Sequence, residues 1–149
     1  MGQEKEKPVV VEGEERLRLT RVLIVDDSDS VLEPTCLYLE WALKDYPILS
    51  AQNGEQALKV LREIVTPLSE QGVLVLTDLE MPVMGGKELI EIVRGDEDLR
   101  SRVKFMVWSG SLEKLREIEK AYPEIPRYLK PMTGRQILSE LKEILGQER

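Results

Sequence analysis

A doubly wound α/β domain built on a parallel sheet is the fold class this chain predicts. Three observations predict it. Short runs are apolar throughout without alternating, stretches between them carry apolar residues at helical spacing, and turn or cap residues mark most junctions.

The first strand is expected from Arg21 to Asp26, around Val22-Leu23-Ile24-Val25. Ser30 with Glu33 offers a capping box for the first helix. Pro34 suits only a first turn, so that helix should start near Ser30 or later, with Leu32, Cys36, Leu39 and Leu43 inward and Trp41 and Tyr46 partly so. A short second strand follows over Ile48 to Ala51. Asn53-Gly54 then turns into a helix placing Ala57, Leu58, Leu61, Ile64, Val65 and Leu68 on one side, until Pro67 ends or kinks it.

Val73-Leu74-Val75-Leu76 forms a third strand leading to Asp78, and Met81-Pro82-Val83-Met84-Gly85-Gly86 turns the chain. Leu89, Ile90 and Val93 mark a third helix up to Gly95. The fourth strand, Val103 to Trp108, ends in Ser109-Gly110-Ser111, and a polar helix turns Leu112, Leu115, Ile118 and Tyr122 inward. A short strand from Arg127 to Lys130 precedes a helix capped by Thr133, with Ile137, Leu138, Leu141, Ile144 and Leu145 on its inner face. Five strands each followed by a helix require right-handed crossovers and helices on both sheet faces.

The bulk numbers fit one domain. The 149 residues suit a single core, and 42% hydrophobic with 33% charged composition marks a globular chain. Residues 1–19 read as a charged arm, with a hairpin through Gly13 as a lesser reading, and 20–149 as the domain, with nothing left for a second one. A formal charge of −7 argues against nucleic-acid and anionic-membrane partners. There is no apolar run of membrane-spanning length and no signal pattern, and Glu6 spoils a myristoylation reading of Met1-Gly2, so a cytoplasmic location is expected. Cys36, the lone cysteine, reads as a core thiol. The absence of histidine excludes Ser-His and Cys-His catalysis, histidine metal sites and a phosphohistidine carrier role.

Asp26-Asp27, Asp78, Ser109 and Lys130 all fall at strand carboxyl ends, which share one edge of a parallel sheet. Each alone would be an ordinary turn, cap or surface residue. Clustered carboxylates repel and call for a cation, and oxygen-only donors suit Mg²⁺. Lys130 adds a positive charge and Ser109 a hydroxyl donor, which together suit a phosphoryl group on Asp78.

From about Thr20 to Gly146 the chain resembles the receiver domain of two-component response regulators. The matching residues are Val22-Leu23-Ile24-Val25-Asp26-Asp27, Asp78 with Met81-Pro82-x-Met84-x-Gly86, Ser109-Gly110 and Lys130-Pro131. The resemblance implies a flavodoxin-like (βα)5 fold with strand order 2-1-3-4-5, of the stand-alone chemotaxis type. Asp78 would take a phosphoryl group from a phosphohistidine on a sensor histidine kinase or phosphotransfer protein. Asp27 and Asp78 would ligate Mg²⁺ directly, Asp26 largely through water, and Glu80 through its main-chain carbonyl. Lys130 would pair with the phosphoryl group and Ser109 would move to bond it. The surface of the fourth helix, fifth strand and fifth helix, near Leu112, Tyr122, Tyr128 and Met132, would then meet a downstream protein or pass the phosphoryl group on. Such a chain is a regulatory phosphoacceptor and not an enzyme acting on other substrates.

Two departures stand out. The family usually has an aromatic three residues before the lysine, coupled to the moving hydroxyl; here Arg127 holds that position and Tyr128 follows it. Tyr128 is therefore either the coupled switch or plain packing. The segment from Gly54 to Asp78 is long, which suggests an extended second helix. Glu80, acidic beside the line of attack, is expected to tune the lifetime of the phosphoryl group by repelling or orienting water. Two other functions compete. Asp27-Ser28-Asp29-Ser30-Val31 is similar to the opening of haloacid-dehalogenase-like phosphatases, with Asp27 as nucleophile, though their later acidic pair is missing. A receiver that docks constitutively without phosphorylation is the third reading.

Overall fold

A computed structural model describes residues 17–66, 68 and 70–146. In chain order the elements are β1 (Arg18–Val25), α1 (Asp29–Ala42), β2 (Ile48–Ala51), α2 (Gly54–Ile64) and β3 (Gln71–Asp78). They continue with α3 (Gly86–Arg94), β4 (Val103–Ser109), α4 (Leu112–Ala121), β5 (Arg127–Leu129) and α5 (Gly134–Gly146). All pairings are parallel and the strand order is β2-β1-β3-β4-β5, as expected from the sequence.

The sheet separates two apolar layers. Leu23, Val25, Val75, Phe105 and Val107 pack with α2, α3 and α4 through residues such as Leu61, Ile90 and Ile118. Val22, Ile24, Leu74, Met106 and Trp108 pack with α1 and α5 through Leu39, Ile137 and Leu141. Alternate residues of each strand feed opposite layers, so a strand buried on both faces must be apolar at nearly every position. That burial fixes the register, and the register brings the strand ends to one edge.

Several local expectations are corrected. Strand β1 begins at Arg18 and buries Leu19, both within the segment that the sequence assigns to the arm. Helix α1 begins at Asp29, with Ser28 as its N-cap, and the Ser30/Glu33 capping box does not form. The Ser28 hydroxyl lies 3.0 Å from that of Ser30 instead. Pro34 consequently falls in the second turn. The cost is limited because Ser30, whose carbonyl loses its helical partner, is exposed to water.

The second helix is not extended. It ends at Ile64 with Val65 in an extended conformation, and the extra length goes into β3, which starts at Gln71 and pairs with Arg18 and Leu19. Leu68 is exposed, outside the helix whose inner face it was expected to join. Trp41 is also exposed, lying off the stripe formed by Leu32, Leu39 and Leu43. Leu112 is half exposed at the start of α4, while Leu115 and Ile118 hold the layer. The proposed Gly13 hairpin and Pro67 lie outside the described residues.

Candidate functional site

The site grows from the carboxyl ends of β1, β3 and β4 and the segment after β5. The Asp26 amide donates to the Ala51 carbonyl at 3.1 Å, carrying the β1–β2 ladder one residue further. Its carboxylate is fully buried. One oxygen accepts the Ser28 amide at 2.9 Å and the other the Lys130 ammonium at 2.7 Å. A buried carboxylate needs such partners, since an unpaired one costs several kcal/mol or more. Asp27, by contrast, is exposed at the rim.

Asp78 ends β3 and is nearly buried. Its Oδ1 accepts the Leu79 amide at 2.8 Å and lies 3.4 Å from the Glu80 amide, while Oδ2 sits 3.4 Å from the Lys130 ammonium. Burial raises the Asp78 pKa above the usual carboxylate range; Lys130 pulls it down and the Asp26 charge pushes it up again. For Lys130, burial favours the neutral form, but its hydrogen bond to Asp26 and the Asp78 charge outweigh that, so its pKa rises. Lys130 thus remains an ammonium bridging two carboxylates.

Asp26, Asp27 and Asp78 each offer a carboxylate oxygen, and these oxygens lie within 4.8 Å of one another. Three hard oxygen donors at that spacing, partly open to solvent through Asp27, fit a small divalent cation of the Mg²⁺ kind. Glu80 is exposed next to the cluster.

The loop after Asp78 is held by close backbone packing. A side chain at Gly86 would collide with the Asp78 carbonyl, and the Gly86 amide donates to Leu79 O at 3.2 Å. The Met84 amide bonds back to Pro82 O at 2.7 Å across Val83, whose φ is 70°. An i to i+2 bond around a residue of positive φ is the rare, strained form of the γ-turn. The Met84 carbonyl in turn accepts the Gly54 amide at 2.8 Å, tying the loop to the start of α2.

Ser109 ends β4 and is fully buried. Its hydroxyl accepts the Ser111 amide at 3.0 Å, in the loop leading to α4. The Lys130 amide donates to the Ser109 carbonyl at 2.9 Å, which ties Ser109 to Lys130 through the backbone.

The structure gathers Asp26, Asp27, Asp78 and Lys130 into one cluster, with Ser109 on the adjoining strand end. Tyr128 falls elsewhere. It is in register with Trp108, whose side chain packs on the α1/α5 side, and its hydroxyl donates to Glu140 of α5 at 2.9 Å. Ser109 lies in phase with Val107, on the opposite side. Arg127 is in register with Val107, donates to the Pro123 and Ile125 carbonyls and lies 3.9 Å from Glu119 of α4. Tyr128 thus takes the packing arrangement, on the opposite side of the sheet from Ser109.

Sequence reasoning missed one neighbour. The Lys130 ammonium lies 4.8 Å from the centre of the buried Trp108 ring. Period-two alternation held the signal: Trp108 pairs with Tyr128, and Lys130 is two residues further on the same side.

Comparison with known proteins agrees with this geometry. The family model of the response regulator receiver domain matches residues 22–142. The chain is 33% identical over 130 residues to the uncharacterized transcriptional regulatory protein YesN of Bacillus subtilis, covering 85% of this chain and 33% of that protein. Over 90 residues it is 31% identical to the CAI-1 autoinducer sensor kinase/phosphatase CqsS of Vibrio cholerae, covering 60% of this chain and 12% of that protein. The chain therefore spans a third or less of these curated relatives. Among solved structures, a CheY-like response regulator receiver domain protein from Methanospirillum hungatei superposes with a TM-score of 0.68 at 28% identity, covering 87% of this chain and 96% of that one. No helix among the described residues is long and apolar enough to cross a membrane. The acidic cluster, its bridging lysine and the matched sequence together make this chain a member of the response regulator receiver domain family, the regulatory phosphoacceptors of two-component signalling.

Proposed function

We propose that Asp78 is the phosphoacceptor of a signalling switch, and that a sensor histidine kinase or phosphotransfer protein supplies the phosphoryl group. The observation that carries this reading is Asp78, nearly buried at the end of β3, with Asp26 and Asp27 in reach and the Lys130 ammonium 3.4 Å away. A carboxylate oxygen of Asp78 attacks the phosphorus, the P–N bond of the donor breaks, and its electron pair returns to the imidazole ring. The product is an acyl phosphate on Asp78. Transfer of this kind needs in-line positioning and charge neutralisation more than acid–base chemistry.

Asp26, Asp27 and Asp78, with the Glu80 main-chain carbonyl, would hold Mg²⁺, which when bound supplies positive charge beside the phosphoryl oxygens. Lys130 leaves Asp78 Oδ2 to neutralise the new group while it keeps Asp26. Ser109 exchanges its Ser111 amide for a phosphoryl oxygen, a local charge event that biases the loop into α4. The signal then leaves through the face of α4, β5 and α5, where Leu112 and Leu129 are half exposed, to a downstream protein in the cytoplasm or along a phosphorelay.

The deciding experiment is mass spectrometry of the intact protein and its peptides after incubation with Mg²⁺ and acetyl phosphate, alongside Asp78→Asn. A single Mg²⁺-dependent adduct, lost in the variant, is expected. An adduct on Asp27 would replace this reading with a phosphatase mechanism. No adduct, with no response to beryllofluoride, would leave a constitutive docking module.

A further inference from the structure

We propose that Trp108 is a positioning residue for this site, its indole face holding the Lys130 ammonium where an incoming phosphoryl group needs it. The inference rests on the phosphoacceptor reading of Asp78. Lysine carries its charge on a flexible four-carbon stem, so its position must be imposed by its surroundings. Two carboxylates impose part of it, at 2.7 Å and 3.4 Å. The Asp78 contact must loosen when a phosphoryl group arrives there, which leaves Asp26 as the one carboxylate still holding the ammonium. A second contact that persists through the exchange has to come from elsewhere.

The Trp108 ring is that contact. Its centre lies 4.8 Å from Lys130 Nζ, inside the range of about 6 Å at which an aromatic face attracts a cation. The ring is 1% exposed, so the attraction is weakly screened. Its backbone is in register with Asp78 on one side and Tyr128 on the other, which puts it under the middle of the site. The indole N–H finds no acceptor among the described residues. Buried indoles usually find one. Here the side chain does no hydrogen bonding, and what an indole adds over an aliphatic filler is its broad electron-rich face, the strongest of the aromatic cation acceptors. Positive charge fixed in advance of the reaction avoids reorganisation during it.

Trp108→Leu and Trp108→Phe, each with Lys130 and with Lys130→Ala, test the idea through the rate at which acetyl phosphate and Mg²⁺ load Asp78. With Lys130 present the leucine variant should load roughly three- to tenfold more slowly, and the phenylalanine variant should stay within about twofold of the parent. In the Lys130→Ala background the leucine substitution should add nothing, because its effect passes through the ammonium. Parent-like loading by Trp108→Leu, or equal slowing in both backgrounds, would overturn the positioning role while leaving Asp78 as the acceptor. No adduct on the parent would overturn both.

A second readout keeps Trp108 intact and decides the matter if the leucine variant fails to fold. In a Trp41→Phe background, where Trp108 is the one remaining tryptophan, Mg²⁺ with beryllofluoride should shift its emission, and Lys130→Ala should abolish the shift. An unchanged emission, or an equal shift without Lys130, would count against the proposal.

Discussion

The Ser109 hydroxyl accepts the Ser111 amide at 3.0 Å, and the Ser111 hydroxyl accepts the Lys114 amide at 3.2 Å. The residue expected to bond the phosphoryl group is therefore linked, through two hydrogen bonds, to the first turn of α4. If Ser109 turns toward Asp78, the Ser111 amide loses its partner. A hydrogen bond worth about 1 kcal/mol corresponds to a roughly fivefold gain in exchange at that amide. Hydrogen exchange with and without Mg²⁺ and beryllofluoride checks this, and the gain should vanish in Ser109→Ala, where the amide has no such partner in either state.

Glu80 is exposed, with its amide 3.4 Å from the Asp78 carboxylate. On the proposed phosphoacceptor role of Asp78, the Glu80 charge would act on water approaching the acyl phosphate. Glu80→Lys and Glu80→Asn should each change the decay of phosphorylated Asp78 by about threefold or more, equivalent to about 0.7 kcal/mol. A decay followed by mass spectrometry that is the same in all three proteins would remove Glu80 from the mechanism.

Val83 holds a φ of 70°, a conformation that a β-branched residue adopts only under strain. Its side chain is exposed, so little packing compensates. Val83→Asn, which tolerates this region, should stabilise the fold by about 0.5–1 kcal/mol. Denaturant unfolding measures it, and a loss of stability would show that the valine side chain contributes more than its backbone costs.

The Cys36 thiol has its pKa pushed up to about 11 by burial first and the Glu40 charge second. Below that value it is neutral, so the thiolate that reacts with alkylating agents is scarce at pH 8. Modification by iodoacetamide at pH 8 should run about ten- to a hundredfold slower than for an open-chain cysteine, and speed up as pH rises toward 11. A rate already level by pH 9 would contradict the raised pKa.

Tyr128 donates to Glu140 and packs on the α1/α5 side. Tyr128→Phe should cost about 0.5–1.5 kcal/mol in unfolding free energy and leave the phosphorylation-dependent exchange at Ser111 intact. Loss of that response would restore Tyr128 as the coupled switch.

The central strands were legible because burial on both faces writes itself as apolar runs, and Asp26, Asp78 and Ser109 were legible because those runs end on them; Lys130 follows the part-exposed Arg127-Tyr128-Leu129 and was legible from the Lys130-Pro131 pair instead. What the sequence concealed depends on partners distant along the chain. Gln71 and Gly72 are poor strand formers, yet they pair with Arg18 and Leu19, and pairing overrides propensity. Leu68 kept helical spacing, but the helix ends at Ile64 with Val65 extended, before that spacing can be used. Tyr128 was ambiguous because its side of the sheet follows from the β4–β5 register, which spacing alone does not fix.

The bond from the Gly54 amide to the Met84 carbonyl has a bearing on mutational tolerance. It joins backbone to backbone, so changing the Met84 side chain does not delete it. Gly54 is the vulnerable partner, because a Cβ there would lie 2.8 Å from the Met84 oxygen and 2.7 Å from its Cγ. A library of random substitutions should therefore accept many residues at position 84 and very few at position 54, although position 54 carries no side chain and stands outside the acidic cluster.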